Sequence, residues 1–374
     1  MTGEGRQGSR AGLLGSVYAR ITQARRGWYA RRPDERRVLQ HPVISVGNLV
    51  SGGSGKTPVV AALARMLRDR GERPAILTRG YGRREPVEGV LVVSDGTRVL
   101  EPVTRSGDEP QMLARSLPGV PVLVSPDRYV AGRLAERQLG ATISILDDGF
   151  QHVQLERDVD LLVVSARDLS EQVLPSGHLR EPLEAARFAD ALLVAGTGDE
   201  VTAVAGALGH ERAFRVVPQY AEPRLIAGRA FGAAVGRAFY GPPERIIAVA
   251  GIARPERFFA VLRSLGYDVA REMTFRDHHW FTTRDLDAIQ QAARESGASV
   301  VMTTEKDAMR LERGEAGPTP SDIPTAFLPM TVDIEAAGAF EPWLMERLAH
   351  ARACSPTRPA LEARTWKPRS GEGG

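Results

Sequence analysis

The residues with the clearest chemical potential lie in a glycine-rich stretch, VISVGNLVSGGSGKTPVV, at positions 43–60. Its end follows the phosphate-binding pattern G-x-x-x-x-G-K-[ST], except that Val50 occupies the position of the first glycine. An apolar strand precedes the loop and a helical pattern follows it, so backbone N–H groups and the helix N-terminus can converge on phosphate oxygens. In such a loop Lys56 reaches the β- and γ-phosphates, and the hydroxyl of Thr57 binds Mg²⁺. The sequence therefore predicts a nucleotide site, rather than an ordinary glycine-rich turn, formed by Val50, Ser51, Gly52, Gly53, Ser54, Gly55, Lys56 and Thr57.

Lysine is rare in this chain and occurs only at positions 56, 306 and 367. All other basic positions are arginine. A compact ammonium and a planar guanidinium are not interchangeable at a tight phosphate site. Lys56 and Lys306 therefore stand out as positions at which arginine was not an adequate substitute.

A second chemical feature is the acidic end of an apolar strand, in ISILDDGFQH. A phosphate-binding loop needs a carboxylate on a neighbouring strand to hold or orient Mg²⁺, and Asp147 and Asp148 can supply it. Successive side chains of a regular strand point to opposite faces, so one aspartate would meet the metal while the other anchors the loop. The sequence leaves the choice between them open, and a solvated strand end is the alternative. Gln151 and His152 follow as supporting groups or substrate contacts.

The elements that must position these groups alternate between strand and helix patterns over the first two hundred residues or so. RAFRVVPQYAEPRLI, from residue 212, then reads as a two-stranded ribbon, after which a strand–helix unit restarts. We expect an α/β fold with a P-loop-type, mostly parallel sheet flanked by helices, a β-ribbon linker and a second, smaller α/β domain. The expected boundaries are 1–38 for an N-terminal helix, 39–215 for the nucleotide-binding domain, 216–245 for the linker, 246–350 for the smaller domain that closes a cleft, and 351–374 for a disordered tail.

The overall composition excludes several classes of protein. The net charge is only +3 over 374 residues, which gives no general nucleic-acid signal. The single cysteine, Cys354, excludes a disulfide framework and a multi-cysteine metal site, and favours a reduced, cytoplasmic location. No stretch of about 20 apolar residues is present, so no membrane-spanning helix is expected.

The N-terminal segment combines helical spacing of apolar residues with many arginines. Leu14, Val17, Tyr18 and Ile21 share the spacing of one helix face, and arginines surround them. Such a basic amphipathic helix can lie on an anionic membrane surface. The alternative is a helix that packs against the protein's own core.

Eight further motifs follow the loop VGNLVSGGSGKTP between residues 77 and 311, and read LTRGYGR, GDEPQMLA, DRYVAG, LDDGFQH, LPSGHLREP, AGIARPERFF, RDHHWF and TTEKDAMRL. In this order the nine motifs resemble the tetraacyldisaccharide 4'-kinase (lipid A 4'-kinase) family, whose variant loop also lacks the first glycine. The sequence departs from the family pattern at His178, and its N-terminal helix is less apolar than a membrane-associated family would suggest.

The resemblance implies a reaction and a place for it. The γ-phosphate of ATP would pass, with Mg²⁺, to the 4'-hydroxyl of a tetraacyldisaccharide 1-phosphate in lipid A biosynthesis. The enzyme would be peripheral, on the cytoplasmic face of a Gram-negative inner membrane, with the lipid-linked disaccharide and the membrane leaflet as partners. Neither nucleic acid nor an obligate protein partner is expected.

The resemblance also implies roles for individual residues. Asp108 matches the family's catalytic aspartate and would accept the proton of the sugar hydroxyl, with Glu109 to orient it. The alternative for Asp108 is a helix N-cap. His278 would pair with Asp108 across a cleft, although His279 or a purely structural role for both histidines remains open. Arg128 and Arg180 are the expected phosphate clamps, and Arg79 and Tyr81 are weaker candidates. Lys306 lies in a segment, Thr304 to Asp307, that would contact adenine or form an ion pair with Asp307 or Glu305.

Three other functions fit parts of the sequence. A GTPase or ATPase of the cofactor-maturation chaperone type shares such a loop and sheet, but needs no pair that activates a hydroxyl. A soluble small-molecule kinase would lack the basic amphipathic N-terminus. A nucleotide sensor without enzymatic activity does not explain Asp108 and His278 together.

Overall fold

The computed structural model describes residues 4–53, 55–85, 87–226, 245–312, 323–335 and 337–354. Ser54 of the predicted loop, most of the predicted linker and nearly all of the predicted tail therefore lie outside the described residues.

The larger part of the fold is a nine-stranded sheet whose central strands are parallel. Strands β1, β2, β5 and β6 are buried along their whole length, as expected where helices cover both faces of a parallel sheet. The spatial order is β14-β8-β7-β6-β1-β5-β2-β4-β3, with antiparallel edge strands at both ends. The strands are β1 Val43–Gly47, β2 Pro74–Thr78, β3 Leu91–Ser94, β4 Val122–Val124, β5 Ile143–Asp147, β6 Val159–Val164, β7 Ala191–Ala195, β8 Ala213–Tyr220 and β14 Met330–Ile334.

Helices cover this sheet from both sides. Alternate residues of β1 point to opposite faces, so Ile44 and Val46 pack with Leu63 on one side while Val43 packs with Ala131 on the other. The helices are α1 Glu4–Ala30, α2 Lys56–Asp69, α3 Val103–Ser106, α4 Asp108–Ser116, α5 Arg128–Gln138, α6 Gly198–Leu208 and α10 Ala337–Ala353. Short 3₁₀ helices occupy Pro33–Glu35, Ala166–Ser170 and Leu183–Phe188.

A second, five-stranded sheet forms the smaller unit, in the order β11-β10-β12-β13-β9. Its strands are parallel except for β9, and helices pack against it. Its elements are β9 Arg224–Leu225, β10 Arg245–Ala250, α7 Pro255–Ser264, β11 Asp268–Thr274, α8 Thr283–Ser296, β12 Val300–Thr304, α9 Glu305–Glu312 and β13 Thr325–Leu328. The predicted α/β class, with a large, mostly parallel sheet flanked by helices, is confirmed.

Two details of the predicted organisation differ from the structure. The segment expected to form a two-stranded ribbon does not pair with itself, because β8 joins the nine-stranded sheet and β9 joins the five-stranded one. The chain from β14 onward also returns to the larger sheet, where Phe340 and Trp343 of α10 enter its core. The predicted smaller domain, 246–350, therefore gives its last strand and helix to the larger unit. Neither pairing is visible locally, since β8 and β14 are far apart along the chain.

The two units share a hydrophobic contact. Helix α4 of the larger unit packs against α9 of the smaller one. Val103 belongs to the same buried cluster as Ile247 and Ile289, and Met112 packs against that cluster. The junction therefore fixes the N-terminus of α4 against the first turns of α9.

The N-terminal helix presents two different faces. Gly15 and Arg26 are buried, whereas Val17, Ile21 and Trp28 on the opposite face are exposed. Arg26 donates to both carboxylate oxygens of Glu181 at 2.8 Å and to the carbonyl of Phe150 at 2.8 Å. Of the helices in the described parts of the chain, α1 included, none is long and apolar enough to cross a membrane.

Candidate active site

The glycine-rich loop runs from β1 to α2 at the carboxyl edge of the larger sheet, and its structure explains Val50. That side chain is 2% exposed and packs with Leu49, Phe150 and Leu179. Its backbone forms a bridge with Leu179, and the adjacent Ser51 N–H donates to the carbonyl of His178 at 2.7 Å. A packed valine thus anchors the start of the loop, at the position where other loops of this type use glycine for conformational freedom. The turn itself falls later, where Gly55 has a φ of 79° at the N-cap of α2.

Lys56 and Thr57 occupy the first turn of α2, as the loop pattern predicts. The Lys56 ammonium donates to Asn48 Oδ1 at 2.8 Å and lies 3.3 Å from Asp148 Oδ1. Asn48 in turn donates to the carbonyl of Val50 at 2.7 Å. In the structure the Lys56 ammonium is therefore held by Asn48 and Asp148, and the next residue, Thr57, is 9% exposed. Asn48 is a member of this arrangement that the sequence analysis did not single out.

The two aspartates after β5 have different surroundings. Asp148 has a left-handed backbone with φ 55°, and it accepts from Arg180 at 2.9 and 2.7 Å. Burial alone would raise the pKa of Asp148, but the charges of Lys56 and Arg180 outweigh it and hold that pKa below its ordinary value. Asp148 is thus the anchor of the pair, because it ties β5 to the loop lysine and to Arg180.

Asp147 is fully buried and poorly neutralised. Its Oδ2 accepts from the Thr78 hydroxyl at 3.3 Å, while its buried Oδ1 has no hydrogen-bond partner among the described residues. Burial, followed by the negative charges of Glu109 and Asp148, raises the pKa of Asp147 to about 7. An unsatisfied, buried carboxylate oxygen beside a phosphate loop is suited to a cation.

Asp108 begins α4, and Gly107 rather than Asp108 is the N-cap. The side chain is 3% exposed; its Oδ1 accepts from the N–H of Glu109 at 3.1 Å, and its Oδ2 lies 3.1 Å from His278 Nδ1. Burial by itself would raise the pKa of Asp108. The hydrogen bond from His278 and the charges of Lys306 and Arg310 outweigh burial and lower that pKa below its ordinary value. Asp108 therefore stays ionised although it is buried.

The two adjacent histidines do different things. His278, with a left-handed φ of 59°, donates its N–H to the carbonyl of Gly251 and turns its ring toward Asp108. His279 points away: its Nε2 lies 3.0 Å from Asp285 Oδ2, and its ring stacks on Phe275. Because Asp285 also completes the capping box of α8, His279 has the capping and packing role that the sequence left open for both.

Two cations from α9 complete the surroundings of Asp108. Lys306 Nζ lies 3.3 Å from His278 Nε2 and 3.4 Å from Glu109 Oε1. Among the described residues its ion-pair partners are Asp108, Glu109 and Asp277, and not Asp307 or Glu305. Arg310, 1% exposed, places Nη2 3.3 Å from Asp108 Oδ2. The predicted ion pair of Lys306 with Asp307 or Glu305 is therefore wrong, and the predicted adenine contact stays a prediction. Arg310 was not predicted from the sequence.

The remaining predicted arginines lie beside the aspartates. Arg180 is held by Asp148, and its N–H donates to the carbonyl of Leu49 at 2.6 Å. Arg128 is 4% exposed at the start of α5, and the charges of Asp148 and Asp147 act on it. Burial lowers the pKa of Arg128, and its Nε has no partner among the described residues. His178, where the sequence departs from its family's pattern, is exposed and pairs with Glu171 at 3.0 Å.

Comparison with known proteins gives this geometry a context. A family model described as tetraacyldisaccharide-1-P 4'-kinase matches residues 12–349. A tetraacyldisaccharide 4'-kinase of Geobacter metallireducens is 44% identical over 280 residues, covering 73% of this chain and 79% of the relative. One of Syntrophus aciditrophicus is 39% identical over 323 residues, covering 82% of this chain and 84% of the relative.

A solved structure is similar over nearly its whole length. The crystal structure of LpxK from Aquifex aeolicus in complex with ATP matches with a TM-score of 0.70 and 32% identity, covering 91% of this chain and 99% of that one. The family match, the relatives and this structure agree with one another and with the loop and acidic strand described above. The chain belongs to the tetraacyldisaccharide 4'-kinase family.

Proposed function

We infer that the protein transfers the γ-phosphate of ATP to the 4'-hydroxyl of a tetraacyldisaccharide 1-phosphate, giving the bis-phosphorylated precursor of lipid A. The observation that carries this function is the pair of the buried Asp108 and the half-buried His278, 3.1 Å apart, beside a phosphate loop. A protein that only hydrolyses or senses a nucleotide needs no such base for a carbohydrate hydroxyl. The pair thus favours the kinase over a GTPase or ATPase of the chaperone type.

Asp108 is proposed as the group that takes the proton. As the 4'-oxygen bonds to the γ-phosphorus, its proton passes to the Asp108 carboxylate, and the bond from phosphorus to the β–γ bridging oxygen breaks to release ADP. Because the transition state is loose, a carboxylate of low pKa is basic enough, provided that it is ionised and correctly placed. His278 orients the carboxylate, and Glu109 next to it adds negative charge toward Asp147.

Lys56 is proposed to exchange its partners when ATP binds. In the structure its ammonium lies between Asn48 and Asp148. The phosphate oxygens of ATP offer stronger charge-assisted partners at the N-terminus of α2. Asp148 keeps its two hydrogen bonds from Arg180, so it is not left unpaired when Lys56 turns to the nucleotide. Asp147 and Asp148 form the acidic corner of the site. Arg180 and Arg128 lie beside it and are proposed to bind the phosphates there.

A cleft of about 530 Å³ lies on the other side of the loop. Ser51 and Gly52 form part of its wall, with Arg167 from the larger unit and Arg254 from the smaller one. Arg167 follows β6, and β6 lies on the opposite side of β1 from β5 and its two aspartates, so this wall of the cleft is away from Asp147 and Asp148. This placement at the carboxyl edge supports it as the site of the nucleoside of ATP.

Mg²⁺ is proposed at the acidic corner, with Asp147 and the hydroxyl of Thr57 as its nearest protein ligands and Asp148 as support. The buried, unpartnered Oδ1 of Asp147 fits a divalent cation, which would remove the electrostatic cost of that carboxylate. Within the described residues no three His, Cys, Asp or Glu side chains converge on one metal position. That agrees with a site in which nucleotide phosphates and water supply most ligands. When bound, the ion would neutralise charge on the transferring phosphoryl group.

Helix α1 is proposed to hold the enzyme on the cytoplasmic face of a Gram-negative inner membrane as a peripheral protein. Arg26 ties one face of α1 to Phe150 and Glu181, next to Asp148 and Arg180. The opposite face exposes Val17 and Ile21, and exposed arginines flank it. An interfacial helix of this kind would bring the acidic corner close to a lipid substrate.

The test is a transfer assay with ATP, Mg²⁺ and a tetraacyldisaccharide 1-phosphate in detergent micelles. We expect a second phosphate on the lipid, detected by mass spectrometry or from labelled ATP. Strong GTP hydrolysis without any phosphate on the lipid would refute the kinase function and support the chaperone-type nucleotidase.

A further inference from the structure

Helix α9 directs two cations at the candidate base. Lys306 and Arg310 are four residues apart, so they lie on the same face of the helix. That face is turned toward the N-terminus of α4, where Asp108 lies. Lys306 Nζ is 3.9 Å from Asp108 Oδ2, and Arg310 Nη2 is 3.3 Å from the same oxygen.

Arg310 is fixed in place by the smaller unit. It donates to the carbonyl of His279 at 3.1 Å and forms an ion pair with Asp307 at 2.9 Å. Asp307 in turn accepts from the N–H of Gly251 at 2.9 Å. This network holds α9 to the end of β10, so Arg310 is a rigid second cation beside Asp108.

Lys306 differs from Arg310 because its ammonium lies close to both His278 and Asp108. Its ammonium lies 3.3 Å from Nε2 of His278 and 3.9 Å from Oδ2 of Asp108. An ammonium has donors only, so its partner Nε2 must offer a lone pair. The ring proton is then on Nδ1, whose N–H donates a hydrogen bond to Asp108.

We propose that Lys306 is a positioning residue for phosphoryl transfer: through His278 it fixes the tautomer that donates to Asp108, and with Arg310 it keeps that carboxylate ionised. This inference rests on the proposed role of Asp108 as the base. Lys306 thus makes the smaller unit responsible for the charge state of a base that the larger unit carries.

The charges that face this pair agree with the inference. Asp108 meets His278, Lys306 and Arg310 from the smaller unit, and Glu109 follows it on its own helix. Burial opposes the charged form of Lys306, yet the charges of Asp108, Glu109 and Asp277 outweigh burial and raise the pKa of its ammonium. Lys306 is therefore protonated at neutral pH, as the proposed hydrogen bond requires.

The experiment compares the pH dependence of kcat in the wild type, Lys306→Met and Lys306→Arg, from about pH 3 to about pH 9, so that the low acid limb of the wild type falls within the range. Without the ammonium, Asp108 binds its proton more readily, so the acid limb of Lys306→Met should move up by about one pH unit. Below that limb kcat should fall about tenfold, with the affinity for ATP unchanged. Lys306→Arg keeps the charge and should retain a limb close to that of the wild type.

Arg263→Met is the matched control, because it removes a cation from an exposed ion pair with Glu272 in the same unit. It should leave both kcat and the acid limb unchanged. A Lys306→Met limb that coincides with that of the wild type, or a uniform loss of kcat at every pH, would overturn the inference.

A second measurement uses the wild-type enzyme and tests the inference even if Lys306→Met fails to fold. Nitrogen-15 spectra of imidazole-labelled wild-type enzyme should show His278 protonated at Nδ1 and unprotonated at Nε2, with a His278→Gln sample to assign the signal. A proton on Nε2 at neutral pH would contradict the inference. If the wild type transfers phosphate and Asp108→Asn does not, either negative result counts against Lys306 alone and leaves the proposed function intact.

Discussion

The two halves of the candidate site are built from the chain in contrasting ways. The phosphate half comes from one continuous loop, with the neighbouring strand β5 supplying its acidic corner. The base half joins Asp108 and His278 from positions 170 residues apart, and adds Lys306 and Arg310 from a third segment. The first half therefore depends on local backbone geometry, whereas the second depends on how two units pack.

The two halves should therefore respond to different substitutions. Phosphate binding is lost when a charged loop residue is changed, because few other groups can replace the charge of that residue. The pair of Asp108 and His278 can be weakened by changes elsewhere in the fold, if they move His278 relative to α4. Val103 and Met112 pack against the smaller unit, and we expect this apolar contact to affect catalysis only through the geometry of the site.

The largest effect is expected in the phosphate half. Lys56→Ala removes the ammonium that lies between Asn48 and Asp148 and would contact ATP. Transfer should fall by about three orders of magnitude, measured as labelled phosphate on the lipid. Lys56→Arg should recover little of it, because a planar guanidinium does not fit the same compact position. Near-normal turnover in either variant would mean that the loop does not hold the reacting phosphate.

In the base half, the neighbouring histidines form a matched pair. His278→Gln should lower kcat by about ten- to a hundredfold while ATP affinity is kept, because only the orientation of the base is lost. His279→Gln removes the contact with Asp285 and should instead cost about 1 kcal/mol in the free energy of unfolding, with transfer retained. Steady-state kinetics and thermal melts on both variants separate the two roles. The reverse pattern would exchange the assignments of the histidines.

A glycine in the larger unit tests whether packing alone can disturb the base. Gly82 has φ 75°, and a methyl group there would lie 3.0 Å from His278 Nδ1. Gly89 has φ 78°, with nothing within 4 Å of such a methyl group. Alanine at either position should cost about 1–2 kcal/mol of stability through the left-handed backbone. Only Gly82→Ala should also lower kcat, by about tenfold, since it pushes against the imidazole. Equal kinetics in the two variants would show that His278 tolerates displacement.

The smallest effect is expected at α1, outside both halves. Replacing Val17 and Ile21 together with serine removes exposed apolar surface from the proposed membrane face. Binding to vesicles with anionic lipid should weaken by about tenfold in a sedimentation assay, while kcat in detergent stays unchanged. The same change at Val99 and Leu100, which are also exposed, should leave vesicle binding as it is. Equal losses in both double variants would remove α1 from membrane attachment.

The phosphate half could be predicted from sequence because its determinants are contiguous. The apolar strand, the glycines and the Lys56–Thr57 pair follow one another, and the order alone implies a strand, a turn and a helix N-terminus. The reason for Val50 was not predictable in this way. Its packing against Leu179 depends on a segment that is distant in the chain.

The base half could be predicted only by resemblance. Nothing in SGDEP or RDHH says that these segments meet, since their contact depends on α4 packing against α9. The rarity of lysine drew attention to Lys306, but local reasoning offered only adenine or the neighbouring Asp307 and Glu305 as its partners. The partners it has, His278, Glu109 and Asp277, come from two other segments of the fold. For the same reason the pairing of β8 with β14 was missed.

A single-turnover experiment with Asp108→Asn tests the assignment of the base without interference from ATP binding. Asparagine keeps the shape of the side chain but cannot accept the hydroxyl proton, so the transfer rate should fall by about two to four orders of magnitude. The dissociation constant for ATP should stay within about twofold of the wild type, because the loop and Asp148 are untouched. A transfer rate equal to that of the wild type would contradict the account and require another group to take the proton.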